Sequence, residues 1–226
     1  MLICHFNNEF TPKNHFYDIM LNMDILKNPY KIRYTAKIKA DRPGIKIWFA
    51  QPTSHDFQKI SDFSFSVPIK SKYQDKYKNS VLYFDLSKNK EVDLDIHFKI
   101  KNEFFRKDLN SKIIKIVPKN SVIYKTQTKT DQFLEQTKSA KKIAHLLSKN
   151  TKEPLEIVKN IFLYTKNTFK YQYPVKKRGM KNLDFERLCG DCGEYSAFFA
   201  TLCRINKIPT KINTGFVVFS KNNSIH

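Results

Sequence analysis

Between Tyr30 and Ile100 the apolar residues recur at every second position, and from Phe133 onward at every third or fourth, so the chain changes its structural period once along its length. "YKIRYTAKI" places Tyr30, Ile32, Tyr34, Ala36 and Ile38 on one side and Lys31, Arg33, Thr35 and Lys37 on the other, as a half-buried strand requires. "GIKIWF" repeats this with Ile45, Ile47 and Phe49, "FSFSV" with Phe63, Phe65 and Val67, and "VDLDIHFKI" with Val92, Leu94, Ile96, Phe98 and Ile100. Short alternating strands separated by polar turns such as "ADRPG" and "SKNK" predict an antiparallel β-sandwich over residues 1–120. His55 and His97 stand alone in this region, and His97 falls on the polar phase of its strand, so both are expected at the surface.

A linker is expected over 121–130, followed by a second domain over 131–226. Phe133, Thr137, Ala140, Ala144 and Leu147 share one face of a first helix. Thr151, with Pro154 in the first turn, announces a second helix that should bury Leu155, Val158, Phe162, Thr165 and Phe169. The loop "KYQYPVKKRGMKNLDFERL" follows, and its basic cluster at 176–178 is read as solvated. Asp191 is placed to cap a third helix running from Cys192 to Ile205, with Ser196, Phe199 and Cys203 on the face of Cys192. "INKIP" ends that helix, and "TKINTGFVVF" is expected to return as a buried strand.

At 226 residues and 41% hydrophobic, the chain can bury two modest cores. The net charge of +20 would suit a nucleic-acid partner, but Arg contributes only about six of the 41 basic residues, and they form no basic helix face or RNA-binding signature. Lys comes with abundant Asn, Ile and Phe, which reads as a bias of the whole chain, so no nucleic acid is expected. "MLICHFNNEF" has no basic region before a long apolar run, which argues against a signal peptide or membrane span and makes the cytoplasm the expected compartment. Cys4 and the three cysteines of "LCGDCGEYSAFFATLC" do not make the disulfide framework of a secreted domain.

That stretch admits three chemistries. A zinc site would use Cys189, Cys192, Cys203 and His226, but eleven helical residues separate the last two cysteines by about 16 Å, too far to share one ion. A dithiol pair would use "CGDC" at a helix start, yet the approach "NLDFERL" is charged, where a buried parallel strand would be needed. The third reading makes Cys192 a nucleophile: a thiol in the first turn sees the positive end of the helix dipole and free N–H groups that can hold an oxyanion. His226, beyond the following strand, is then the candidate base. No metal or cofactor is expected on that reading.

"GDCGEYSAFFATLCRINKIPTKINTGFVV" closely resembles the core of the transglutaminase-like superfamily, with its Gly-x-Cys helix start, its "ALCRxxxIP" helix end and a strand entered through "TG[FY]". "YTAKIKADRPGIKIWFAQPTSHDFQKI" is similar to the N-terminal domain of bacterial members. The resemblance implies an α+β fold, in which the sandwich is followed by a papain-like core of helices and then antiparallel sheet. It also implies acyl transfer from peptide or side-chain amides of a protein substrate, with the nucleophile at Cys192 and the base at His226. The family's third member, an Asp on the next strand, would fall after His226, so the expectation is a truncated core that is weak or inactive alone. The alternative is a non-catalytic binding module that keeps the fold as a scaffold.

Overall fold

The computed structural model of the chain describes residues 29–39, 43–55, 57–75, 79–102 and 117–215. The chain divides into two compact units, whose described parts are residues 29–102 and residues 117–215.

The first unit holds two three-stranded antiparallel sheets. In one, β1 (Tyr30–Lys39) and β3 (Gln58–Phe65) flank β6 (Glu91–Asn102). In the other, β2 (Ile45–Ala50) and β4 (Ser71–Gln74) flank β5 (Ser80–Leu86). The β1–β6 register pairs Tyr30 with Ile100 and Ile38 with Val92, so the apolar phases of the two strands lie opposite one another. Leu94, Ile96 and Phe98 of β6 pack with Ile47 and Phe49 of β2, which places the apolar layer between the two sheets.

Two expectations for this unit need correction. "FSFSV" is not a strand of its own: β3 runs from Gln58 to Phe65, its register shifts between Ser61 and Ser64, and Asp62 takes φ 56° there. Ser66 then leaves the strand and bonds the Asp95 carbonyl (2.9 Å) through its backbone and the Asp93 carbonyl (3.0 Å) through its hydroxyl. The second correction is β5, a central strand not anticipated from the sequence, with Leu82 and Phe84 in the core. Val81 and Tyr83 fill its other phase, so "SVLYFDL" shows no clean alternation. His97 is half-exposed and bonds Asp95 at 2.8 Å, at the surface as its phase indicates.

The second unit is mainly helical in its described part. A short helix, α1 (Val122–Gln127), occupies the segment expected to be a linker. α2 (Lys138–Ser148) is capped by Thr137, whose hydroxyl accepts from the Ala140 N–H at 3.2 Å. Phe133 lies outside this helix and is exposed. The Asp131 carboxylate accepts from the N–H groups of Phe133 (3.0 Å) and Leu134 (3.2 Å) and fixes a turn there instead.

In α3 (Pro154–Thr168) the fully buried stripe is Ile157, Ile161 and Thr165, rotated from the face anticipated through Val158 and Phe162, which are half-buried. Thr165 can sit in the core because its hydroxyl donates to the Ile161 carbonyl at 2.7 Å. α4 (Cys192–Ile205) crosses the middle of the unit, and Phe198, fully buried, meets the rings of Phe169, Tyr164 and Phe185 at centroid distances of 5.8, 6.3 and 6.3 Å. Burying such a ring stabilises the unit by about 2–3 kcal/mol.

At the far end of α4, buried Arg204 donates to the Thr210 carbonyl through Nε (3.1 Å) and Nη2 (2.9 Å), and to the Lys129 carbonyl through Nη1 (2.8 Å). These bonds hold the chain leaving the helix against the segment before α2. Residues 210–215 are described without a strand; the rest of "TKINTGFVVF", Cys4 and residues 1–28 lie outside the described residues. No helix among the described residues is long and apolar enough to cross a membrane.

Candidate active site

Two short strands lead into α4. β7 (Lys170–Tyr171) runs parallel to β8 (Cys189–Gly190), and the Lys170 N–H bonds the Leu188 carbonyl at 2.8 Å, the Gln172 N–H the Gly190 carbonyl at 2.8 Å. This pairing aims the chain at the helix start, where Asp191 adopts an extended backbone and Cys192 is the first helical residue. The Asp191 carboxylate accepts from the Gly193 N–H at 2.7 Å, the bond expected of an N-cap. Cys192 is exposed, at the positive end of a 14-residue helix. Its own backbone N–H has no acceptor among the described residues, so it is available to an incoming oxyanion.

Arg178 was not anticipated in this site. From the loop after β7 its guanidinium meets both oxygens of Asp191, Nη1 to Oδ1 at 2.8 Å and Nη2 to Oδ2 at 2.6 Å, and Nη1 also donates to Oε2 of Glu194 at 2.9 Å. The basic cluster at 176–178 is therefore not uniformly solvated: Arg178 is drawn onto the first turn of α4. The chain turns there because Gly179 takes φ +91°, and a Cβ at that position would lie 3.3 Å from the Phe133 Cα. The sequence signal was a glycine directly after the arginine, which is weak taken alone.

The carboxylates respond oppositely. Asp191, held chiefly by its bonds to Arg178, is lowered to about 2. Glu194 is pushed above the usual carboxylate range, first by burial and then by its hydrogen bond and like charge with Asp191, against the opposing pull of Arg178. The Arg178 pKa is raised, mainly by its hydrogen bond to Asp191 and then by the charges of Glu194 and Asp191, against the opposing effect of burial. Asp191 and Glu194 are thus engaged with Arg178 and with the helix cap. Cys203 is in the core, 1% exposed, and burial pushes its thiol up to about 12. Cys189 is half-buried on β8. His226, expected to face Cys192, lies outside the described residues. Among the described residues, no three His, Cys, Asp or Glu side chains come together as metal ligands.

The described chain thus carries antiparallel sheets in its first unit and, in its second, an exposed thiol at a capped helix start. Residues 141–226 match the family model of the transglutaminase-like superfamily core. The chain is similar in fold to the crystal structure of a candidate cysteine protease from Cytophaga hutchinsonii, with 14% identity and a TM-score of 0.58 over 80% of this chain and 64% of that one. A second similar structure is the periplasmic domain of TgpA from Pseudomonas aeruginosa, with 14% identity and a TM-score of 0.41 over 81% of this chain and 55% of that one. The chain thus spans less than two thirds of each of these structures. No protein of curated function matches it in sequence.

Proposed function

We propose that the chain forms a thioester at Cys192 by attacking peptide or side-chain amides of a protein substrate, and passes the acyl group to water or an amine. The observation that carries this reading is the exposed Cys192 at the first position of α4, beside a backbone N–H with no described acceptor. His226 takes the proton of the Cys192 thiol, the sulfur bonds to the carbonyl carbon, the oxygen takes the negative charge facing that N–H, and His226 passes the same proton to the departing amine as the C–N bond breaks. Water or a second amine then attacks the thioester carbon while His226 accepts its proton, the C–S bond breaks, and the Cys192 sulfur is regenerated.

Incubating the full chain with an activated acyl ester or a peptide amide, then mass-mapping the protein, tests the first half-reaction apart from turnover. The expected product is one acyl group on Cys192, absent in Cys192→Ala and discharged by hydroxylamine. An unacylated Cys192, or acylation that persists in Cys192→Ala, would leave the fold as a binding scaffold.

A further inference from the structure

We propose that Arg178 is a positioning residue for the Cys192 thiolate: its guanidinium balances the carboxylate of Asp191, the residue before Cys192, and holds the first turn of α4 in the geometry that presents the thiol. The inference rests on Cys192 being the reactive thiol, and it assigns work to a loop side chain distant in sequence from the helix.

The geometry is specific. Arg178 holds Asp191 through two parallel bonds, a fork that a lysine could not reproduce, and reaches across the first turn to Glu194. It thereby touches residues on both sides of Cys192. The backbone makes room for it: a Cβ on Gly193 would lie 2.9 Å from Arg178 Nη1 and 3.1 Å from Asp191 Oδ1. A glycine follows the cysteine where a side chain would displace the guanidinium.

A count of charges then decides the effect. The charged and titratable groups on the elements around this helix start are Arg178, Lys181 on a 3-10 turn at Met180–Asn182, Asp191, Glu194, Cys189 on β8, and Lys170 and Tyr171 on β7. Lys170, Tyr171 and Lys181 are exposed to water, where screening weakens them. The near field is that of Arg178, Asp191 and Glu194. Among the described residues Arg178 is the one cation hydrogen-bonded to both carboxylates, and it offsets the charge of Asp191 directly. Without it, a buried and uncompensated carboxylate remains on the residue preceding Cys192, and a like charge nearby disfavours the thiolate.

Alkylation of Cys192 by iodoacetamide across pH, followed by peptide mapping, reads the thiol directly and needs no substrate. Running the series in a His226→Ala background keeps any imidazolium contribution out of the comparison. Arg178→Gln is expected to move the midpoint up by about 1 pH unit, a roughly tenfold loss of thiolate below it. Adding Asp191→Asn removes the unbalanced charge while keeping a capping side chain, and should return the midpoint to within about 0.3 unit of its starting value. Asp191→Asn alone, with Arg178 uncompensated, should leave the midpoint level or lower it, and reads the same question should Arg178→Gln fail to fold. A lowered melting temperature with an unmoved midpoint in Arg178→Gln would reduce Arg178 to a structural clamp and overturn the proposal, as would a raised midpoint in Asp191→Asn. A shift as expected with no acyl adduct on Cys192 would sustain the role of Arg178 and sink the acyl-transfer reading.

Discussion

Arg178 and Asp191 lie thirteen residues apart in sequence and meet through two parallel hydrogen bonds of 2.8 and 2.6 Å, immediately before Cys192. The pair joins a loop to a helix cap, so it acts on stability and on the thiol together. Its guanidinium is half exposed while the carboxylate is buried, and the carboxylate therefore carries the clearer pH signature.

The first prediction concerns acid stability. Asp191 is depressed to about 2, below its unfolded value near 3.9, so its contribution is present above pH 4 and is lost as pH falls toward 2. Linkage sets an upper limit of about 3 kcal/mol, and screening of the half-exposed guanidinium reduces the expected contribution to about 1 kcal/mol. Glu194 has the opposite sign: its folded pKa is raised, so its stabilising effect is complete below its unfolded value near 4.3 and is lost as pH rises through the folded value. Denaturant unfolding across pH 2–7 should show Asp191→Asn flattening the acid limb and Glu194→Gln flattening the limb above pH 4.3. A Glu194→Gln profile that changes only below pH 4 would contradict the assignment.

The second prediction orders the thiols. Cys203, near 12 and buried, has about one thiol in 10⁴ ionised at pH 8, whereas Cys192 is exposed in the first turn of a helix. Brief alkylation of the folded chain should modify Cys192 first and half-buried Cys189 more slowly, with Cys203 labelled only in denaturant. Labelling of Cys203 as fast as that of Cys192 would show that the α4 core opens without global unfolding.

Much of this was legible in the chain, and the losses have physical reasons. β1 and β6 were readable because one phase is apolar and the other charged, and α4 because Asp191 caps it and "INKIP" ends it. β5 hid because Val81 and Tyr83 put apolar residues on its outer phase as well. The α3 face was only partly readable from spacing: Thr165 and Phe169 are buried as expected, but Ile157 and Ile161 lie fully inside where Val158 and Phe162 are half-buried. Arg178 escaped because "KKR" in a polar loop reads as solvated, and a partner thirteen residues away leaves no periodicity.

A third prediction follows from Arg204, which is buried and bonds two backbone carbonyls and the Asp131 carboxylate at 3.5 Å. Arg204→Ala leaves those acceptors unpaired in a site with little access to water and should cost about 3 kcal/mol. Arg204→Lys keeps the charge but can make only part of the fork, and is expected to fall between the two. Chemical denaturation monitored by circular dichroism measures both, and an Arg204→Ala chain as stable as the parent would show that water satisfies the carbonyls.

The last prediction sets two glycines against each other. A Cβ on Gly190 would stand 2.5 Å from the Glu194 Cβ and 3.0 Å from its Cγ, atoms fixed close to the helix backbone, so Gly190→Ala forces α4 and β8 apart. Overpacking of this kind costs about 1–3 kcal/mol, and the melting temperature of the C-terminal unit should fall with it. On Gly193 the same methyl meets the Arg178 Nη1 at 2.9 Å, the far end of a long side chain that can swing aside. Alanine is also the better helix former by up to about 1 kcal/mol, which offsets much of the lost pairing. Gly193→Ala should therefore keep its stability within about 1 kcal/mol of the parent while raising the Cys192 alkylation midpoint, as removal of Arg178 does. Gly190→Ala should lose stability whether or not the midpoint moves. If Gly193→Ala unfolds as readily as Gly190→Ala, the guanidinium is held rigidly, and its place beside Cys192 is set by packing more than by charge.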